Sequence, residues 1–275
     1  MVTRKSGVFT FAFITDLHVQ PGEQAERVRR CIRSVNSMQG CDFAISGGDL
    51  IEDGLGTDYE TVHECYNLAQ SILTDLKIPV YHTIGNHDLF GIYVESGASP
   101  DHPEYGKEIY RRRIGQGRTY YSFDRNGWHF VSLDSVQVTG RRFIGGVDSQ
   151  QVDWLRSDLA ATGNEHPICL ISHIPMVSAW VQLRHGMTVL PAAEGFITNN
   201  KELYLALEPY NVKLVLQGHL HILEDWYFRG ARFICSGAVR GGWGPSPLDG
   251  PGPSFGIVSV DGEEITFRHV PIAAE

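Results

Sequence analysis

Asp16-Leu17-His18, Gly47-Gly48-Asp49, Gly85-Asn86-His87-Asp88, Ser172-His173 and Gly218-His219-Leu220-His221 are short polar clusters, each at the end of an apolar run. Between them they offer carboxylates, imidazoles and one carboxamide, a donor set that binds divalent cations through mixed nitrogen and oxygen ligation. In Asp16-x-His18 the two side chains share a face if the segment is extended, since residues i and i+2 do so on a strand. A carboxylate oxygen and an imidazole nitrogen can then grip one ion. Asp49 adds a carboxylate on a flexible turn, and its two oxygens can bridge two cations. The Asn86 amide oxygen is a poor ligand alone but suits a hard cation whose charge carboxylates already offset. His87 is open to two roles, as a ligand or as a proton donor facing a substrate. His173, His219 and His221 supply further imidazoles. Structural zinc sites prefer Cys and His, so the Asn points to a catalytic pair of ions.

Each cluster alone has a bland reading: Asp-x-His is a common tripeptide and Gly-Gly-Asp a tight turn. Their weight lies in placement. The apolar runs before them, rich in Ile, Val, Leu and Phe, read as buried strands of a sheet covered on both faces. A side chain just past such a strand sits at the sheet's rim, where open α/β proteins place ligands. Clusters at successive strand ends can converge on one point, which implies a metal-dependent hydrolase. The remaining histidines (His63, His82, His102, His129, His166, His185, His269) lack carboxylates at ligand spacing and read as structural or surface residues. His185 is singled out because its segment should overhang the site.

The elements that must position the clusters follow from periodicity. Val8–Ile14, Phe43–Ser46 and Val80–Ile84 read as strands, separated by helices at Gln24–Met38 and Tyr59–Leu76, the rhythm of a parallel sheet with crossover helices. The segment 90–118 is polar, rich in Gly and Pro, and long for a connection, which suggests a substrate-contacting element. Thr119–Phe123 and Trp128–Leu133 flank an Asn126-Gly127 hairpin signal. Ser149–Ala161 reads as a helix capped by Asp148, and Pro167–Ile171 as a strand. The segment 176–198 has no clean period and reads as a second loop over the site. Lys201–Pro209 reads as a helix and Val212–Leu216 as a strand. Short β segments follow at Trp226–Phe228, Arg232–Cys235, Ser254–Val260 and Ile265–Val270, interrupted by a Gly/Pro-rich loop at 241–253. The sum is a mixed two-sheet α/β arrangement with helices outside, read as a single domain over 1–275.

Composition narrows the partners. The formal net charge of −9 disfavours a nucleic acid recognised through its backbone. The one dense basic run, Arg111-Arg112-Arg113, reads first as a solvated helix face. Five cysteines with no CxxC spacing fit buried thiols rather than a disulfide framework. Met1–Ser6 lead into a strand with no signal-peptide h-region, and no run approaches the ~18 apolar residues of a membrane span. A cytoplasmic location is the default expectation, and the oligomeric state is left open.

The ordered series Asp16-x-His18, Gly48-Asp49, Gly85-Asn86-His87-Asp88, His173 and Gly218-His219-x-His221 resembles the calcineurin-like metallophosphoesterase superfamily. The blocks run from residue 16 to residue 221, and the ordered set is specific where single blocks are weak. The resemblance implies an α/β fold, a four-layer α/β/β/α sandwich of two mixed sheets flanked by helices. It also implies a dinuclear centre of two divalent or mixed-valence ions; mixed ligation suits Mn, Fe, Zn or Co. One ion would take Asp16, His18, Asp49 and His221; the second would share Asp49 and take Asn86, His173 and His219. His87 would be the substrate-facing catalytic histidine, paired with Asp88 or a nearby carboxylate. Two cations ~3.5–4 Å apart activate a water and neutralise phosphoryl oxygens, so the implied reaction is phosphate-ester hydrolysis.

Within the superfamily the chain is similar to the bacterial group containing class III cyclic nucleotide phosphodiesterases and glycerophosphodiesterases. A small phosphodiester, such as a 3′,5′-cyclic nucleotide or a glycerophosphodiester, is therefore the expected substrate. Leu89-Phe90-Gly91 stands where the cyclic nucleotide enzymes often carry Arg. The stretch 120–135 is more like purple-acid-phosphatase relatives and eukaryotic calcineurin-like phosphatases, which keeps a phosphomonoesterase beside the diesterase reading. A non-catalytic scaffold is the third possibility, and missing ligands, its signature, are not found.

Overall fold

Alternation along the first strand, β1 (Phe9–Ile14), sets the layering. Phe9, Phe11 and Phe13 face one way and Ala12 and Ile14 the other. In the computed structural model, which describes residues 7–186, 188, 190, 192–262 and 264–273, β1 is the centre of a five-stranded sheet. β2 (Phe43–Ser46) and β3 (Val80–His82) run parallel to it on one side. On the other lie β12 (Ser254–Asp261), antiparallel with Phe9 opposite Val260, and β13 (Glu264–Pro271). The second sheet has six strands. Its core of β5 (Trp128–Leu133), β8 (Ile168–Ser172), β9 (Val212–Gln217) and β11 (Ala231–Ser236) is parallel. Antiparallel β4 (Tyr121–Arg125) and β10 (Leu223–Phe228) form its edges.

The sheets pack face to face. Phe9, Phe11 and Phe13 meet Phe43, Trp128, Phe130, Ile171 and Leu216 in an aromatic-rich layer, with Phe11 stacked on Phe43 at 4.9 Å and edge-on to Phe130 at 6.0 Å. Outside the first sheet, α1 (Glu23–Ser37) and α2 (Tyr59–Leu73) bury Val28, Ile32, Val62, Tyr66 and Ala69 against Ala12, Ile14 and Ala44. Outside the second, α4 (Ser149–Thr162) and α6 (Asn200–Leu207) bury Val152, Leu155, Leu159 and Leu203 against Ile168, Leu170 and Val215. Three apolar layers thus separate four layers of structure, the expected α/β/β/α sandwich.

Local chemistry sets the boundaries. Asp58 and Asp148 accept from the amides of Thr61 and Gln151, capping α2 and α4. Asn126 and Gly127 both take positive φ, 52° and 83°, the mirror-image turn that suits the twist of the β4–β5 hairpin. All five cysteines are thiols, four of them buried. Among the described residues no helix is long and apolar enough to cross a membrane. Met1–Ser6 lie outside the described residues.

Three segments differ from the sequence reading. A hairpin of β6 (Val136–Thr139) and β7 (Arg142–Gly145) follows β5, too short and too mixed in polarity to stand out. The 90–118 segment is more than a polar loop: Phe90, Ile92, Ile109 and Tyr110 are buried, and α3 (Glu108–Arg113) lies within it. Gly and Pro space those apolar side chains too widely for a period to show. In the 176–198 segment, where 187, 189 and 191 lie outside the described residues, α5 (Trp180–His185) forms one short helix. The Arg111–Arg113 run ends α3. There Arg111 pairs with Glu108, Arg112 is exposed and Arg113 lies over the Tyr66 ring at 5.7 Å.

His129 on β5 ties the edge hairpin to α4. Its Nδ1 is 2.7 Å from Asp124 and its Nε2 2.8 Å from Asp158. Burial works against charge on the ring, but the hydrogen bonds to Asp158 and Asp124 prevail and raise its pKa. A raised folded-state pKa gives stability that is complete below the unfolded value of about 6.5 and fades as pH rises through the folded value. His129→Gln should therefore lower Tm most at pH 5.5, and the gap should narrow by pH 9. Thermal melts at several pH values check this; a pH-independent gap would show that the charge contributes nothing.

Candidate metal centre

The parallel strands of both sheets end at one rim, and every cluster sits there. Asp16 and His18 follow β1, Asp49 follows β2, Asn86 and His87 follow β3, His173 follows β8, and His219 and His221 follow β9. Backbone hydrogen bonds zip the rim loops together. The amide of Asp16 donates to Gly48 O, that of His18 to Asp49 O, and that of Gly218 to His173 O, each at 3.0 Å. The order of the strands in the two sheets thus turns residues 205 positions apart, Asp16 and His221, into neighbours.

Ligand atoms fall into three overlapping groups, each within 4.8 Å: Asp16, His18 and His221; His18, Asp49 and His87; Asp49, His173 and His219. Asp49 Oδ2 lies 3.1 Å from His173 Nε2 and 3.6 Å from His18 Nε2, between the first and third groups. Asn86 Oδ1 is 3.1 Å from His173 Nε2, and His221 Nε2 is 3.2 Å from Asp16 Oδ1. The Nδ1 atoms of His173 and His221 donate to the carbonyls of Gly47 (2.9 Å) and Gly241 (3.0 Å), and His18 Nδ1 faces Glu52 O at 3.3 Å. A proton on each Nδ1 turns each Nε2 inward, the orientation that carbonyls behind metal-bound imidazoles enforce. His18 Nε2 and His221 Nε2 then face each other at 3.2 Å, two acceptors when both rings are neutral. Such a donor set fits cations: a positive ion between the acceptors removes their repulsion.

The charges agree. Burial penalises ionisation of Asp49, yet His173, His87 and His18 around it hold its carboxyl well below the usual range. Burial pushes His18 and His219 down, each to about 3, so both rings stay neutral and able to ligate. Burial also works against charge on His173, but Asp49 and Asp16 overcome it and carry the ring up to about 9. A cation entering there displaces a proton.

The backbone is strained where the candidate ligands are. Among the described residues eight non-glycines have positive φ, and five are Asp16 (55°), His18 (47°), Asp49 (52°), His219 (68°) and His221 (54°). Asp16 and His18 therefore do not share a face of an extended strand, as their spacing suggested. Left-handed turns past the strand end aim both inward, at about 1–3 kcal/mol per residue. Hydrogen bonds hold the result: Asp16 accepts from Thr15 Oγ1 (2.7 Å) and the His219 amide (3.0 Å), and Asp49 Oδ1 from the His87 amide (2.8 Å). Gly85 is dictated by space, because a Cβ there would overlap the Asp49 amide nitrogen and Oδ1.

Of the two partners offered for His87, Asp88 or a nearby carboxylate, the structure has the second, and Asp88 is placed elsewhere. Its buried carboxylate accepts from the amides of Leu50 (2.7 Å) and Gly85 (2.8 Å), binding the β2 and β3 rim loops together. The carboxylate beside His87 is Asp53, 3.5 Å from Nδ1. Burial opposes charge on His87, but Asp49 and Asp53 raise its pKa to about 9. His185 packs against Trp180 and joins none of the ligand groups among the described residues. Sequence reasoning also missed Glu52, whose carbonyl and carboxylate face His18, and Arg240, whose guanidinium is 3.1 Å from Glu52 Oε1. Glu52 and Asp53 were visible as an acidic pair just after Asp49; Arg240 carries no pattern.

Strain at the ligands has a consequence in the metal-free protein. His219→Gly should melt above His219→Ala by about 2–4 °C, because glycine relieves a left-handed conformation worth about 1 kcal/mol. Calorimetry under chelation checks this, and equal or reversed Tm values would contradict the strain.

A family profile described as Calcineurin-like phosphoesterase matches residues 9–223. A 3′,5′-cyclic-nucleotide phosphodiesterase from Nostoc sp. is 28% identical over 183 residues, 66% of this chain and 56% of that protein. The 3′,5′-cyclic adenosine monophosphate phosphodiesterase CpdA of Escherichia coli is 25% identical over 202 residues, 71% and 60% of the two lengths. The matches thus span little more than half of these relatives. Among solved structures, a dimetal phosphatase from Danio rerio shares the fold at a TM-score of 0.62 with 16% identity, over 96% of this chain and 99% of that one. The phosphopantetheinyl hydrolase of Mycobacterium tuberculosis does so at 0.55 with 16% identity, over 84% and 89%. With the profile running from β1 to the start of β10 and through all the ligand clusters, the chain belongs to the calcineurin-like phosphoesterase family.

Proposed function

We propose that this chain hydrolyses a small phosphodiester, a 3′,5′-cyclic nucleotide or a glycerophosphodiester, at a pair of cations drawn from Mn, Fe, Zn or Co. The observation that carries the reading is the convergence of inward-facing imidazole nitrogens on Asp49 Oδ2, with His87 beside them. Asp16, His18, Asp49 and His221 would hold one ion, and Asp49, Asn86, His173 and His219 the other. When bound, such ions supply positive charge to the phosphoryl oxygens and make a water acidic enough to react near neutral pH.

The chain's own residues do the rest. Backbone carbonyls fix the tautomers of His173 and His221, so no ring must turn as the reaction proceeds. Asp88, buried between the β2 and β3 loops, keeps Asp49 and Asn86 in register. His87 is 27% exposed where Asp16, His18 and His173 are buried, so it faces incoming substrate. Asp53 beside Nδ1 favours the charged ring, leaving Nε2 to give a proton to the departing alkoxide. The net charge of −9 disfavours long polyanions and favours a small ester. The names of the Nostoc and E. coli relatives support the diester over the monoester.

His87→Ala should lower kcat by about 10²–10⁴-fold while metal content stays near two equivalents. Asn86→Ala should lose the second equivalent along with turnover. Elemental analysis of both variants separates the roles, and equal metal loss would contradict the assignment. In Mn²⁺, kcat/KM for bis(p-nitrophenyl) phosphate and a 3′,5′-cyclic nucleotide should exceed that for p-nitrophenyl phosphate. A clear monoester preference would make the protein a phosphatase, and no turnover of any ester would make it a binding scaffold.

A further inference from the structure

Trp243 lies in the Gly/Pro-rich loop after β11, outside the apolar layers that hold the sheets together, and 54% of it is exposed. One exposed aromatic ring needs no explanation by itself. This one is fixed. It stacks on the imidazole of His221 at 4.2 Å and 12°, its indole N–H donates to Leu220 O at 2.8 Å, and its amide donates to Asp249 O at 2.6 Å. His221 covers one face of the ring, and the exposure belongs to the rest of it. His221 Nε2 points at Asp16 and His18 within the imidazole plane, so Trp243, parallel to that plane, flanks the centre rather than covering it.

The strip from Arg240 to Trp243 is also anchored to the centre through its backbone. Arg240 N–H donates to Asp16 O at 3.0 Å, Arg27 Nη1 donates to Arg240 O at 2.8 Å, and Gly241 O accepts from His221 Nδ1. The ring therefore keeps one position relative to the ligands. A flat, immobile ring with an open surface binds another flat ring at little entropic cost. A phosphoryl group held among these residues would have Trp243 beside it, one ring beyond His221.

Resting on the phosphodiesterase reading above, we propose that Trp243 is the specificity-determining platform on which the planar ring of a phosphodiester, a nucleobase in particular, stacks. Glycerol-type substituents gain nothing from such a surface, so the platform selects nucleotide over aliphatic diesters. Arg240, half-exposed and paired with Glu52, borders the same edge.

The test compares wild type, Trp243→Phe and Trp243→Ala, loaded with Mn²⁺, on 3′,5′-cyclic AMP and on glycerophosphoethanolamine. Removing a base-stacking ring should lower kcat/KM for cyclic AMP about tenfold. The loss should appear mainly in KM, with less than a threefold loss on the aliphatic diester and most of the activity kept by Trp243→Phe. Equal losses on both substrates would reduce Trp243 to a buttress of His221 and overturn the proposal, as would an undiminished cyclic AMP activity. If wild type turns over neither diester, the phosphodiesterase reading fails, and calorimetric binding of adenosine 5′-monophosphate decides the platform separately. About tenfold weaker binding by Trp243→Ala alone would support it, and equal affinities in all three proteins would overturn it.

Discussion

Acceptors pressed against acceptors govern this structure. His18 Nε2 faces His221 Nε2 at 3.2 Å, and Asp49 Oδ2 and Asn86 Oδ1 both lie 3.1 Å from His173 Nε2, whose proton holds the place of a cation. Buried groups of like polarity repel unless something positive lies between them. The fold nonetheless brings them together and holds them. Asp16, His18, Asp49, His219 and His221 all adopt left-handed backbone, and the buried Asp88 ties two rim loops in register. Strain of this kind persists where the surrounding structure over-determines it. Here the aromatic layer between the sheets and the helix-covered outer faces supply that rigidity.

The rim arrangement follows from direction. β1, β2 and β3 in one sheet and β5, β8, β9 and β11 in the other are parallel within their sheets, so their carboxyl ends collect the clusters. Antiparallel strands at the sheet edges leave this intact. The centre is thereby built on rigid strand ends, whereas Arg240, Trp243 and α5 lie on longer connections. The strand ends thus carry the candidate ligands, and the connections pass beside them.

Much of this was legible in the sequence, for identifiable reasons. Each ligand follows a short apolar run, and such runs end at rims. Asn126-Gly127 and Asp148 carry local chemistry that specifies a hairpin and a cap without tertiary help. Asp88 and a nearby carboxylate stayed open as partners of His87 because adjacency in sequence says nothing of direction: the two side chains of consecutive residues part, and Asp88 turns to amides from two loops. Asp16 and His18 do come together, but through a different backbone, since a left-handed turn leaves no compositional trace at Asp or His. Arg240 and Trp243 were invisible because a Gly/Pro-rich loop has no period, and its path is fixed by Asp16, Arg27 and His221 from elsewhere in the chain.

The central claim is that the opposed acceptors are a two-ion site with Asp49 in the middle. Anomalous diffraction from crystals grown with Mn²⁺ and without chelator tests it most directly. The account predicts two peaks within ~4 Å of each other, one beside Asp16, His18 and His221 and the other beside Asn86, His173 and His219, with Asp49 touching both. A single fully occupied peak, or two peaks with Asp49 turned away from either, would contradict it.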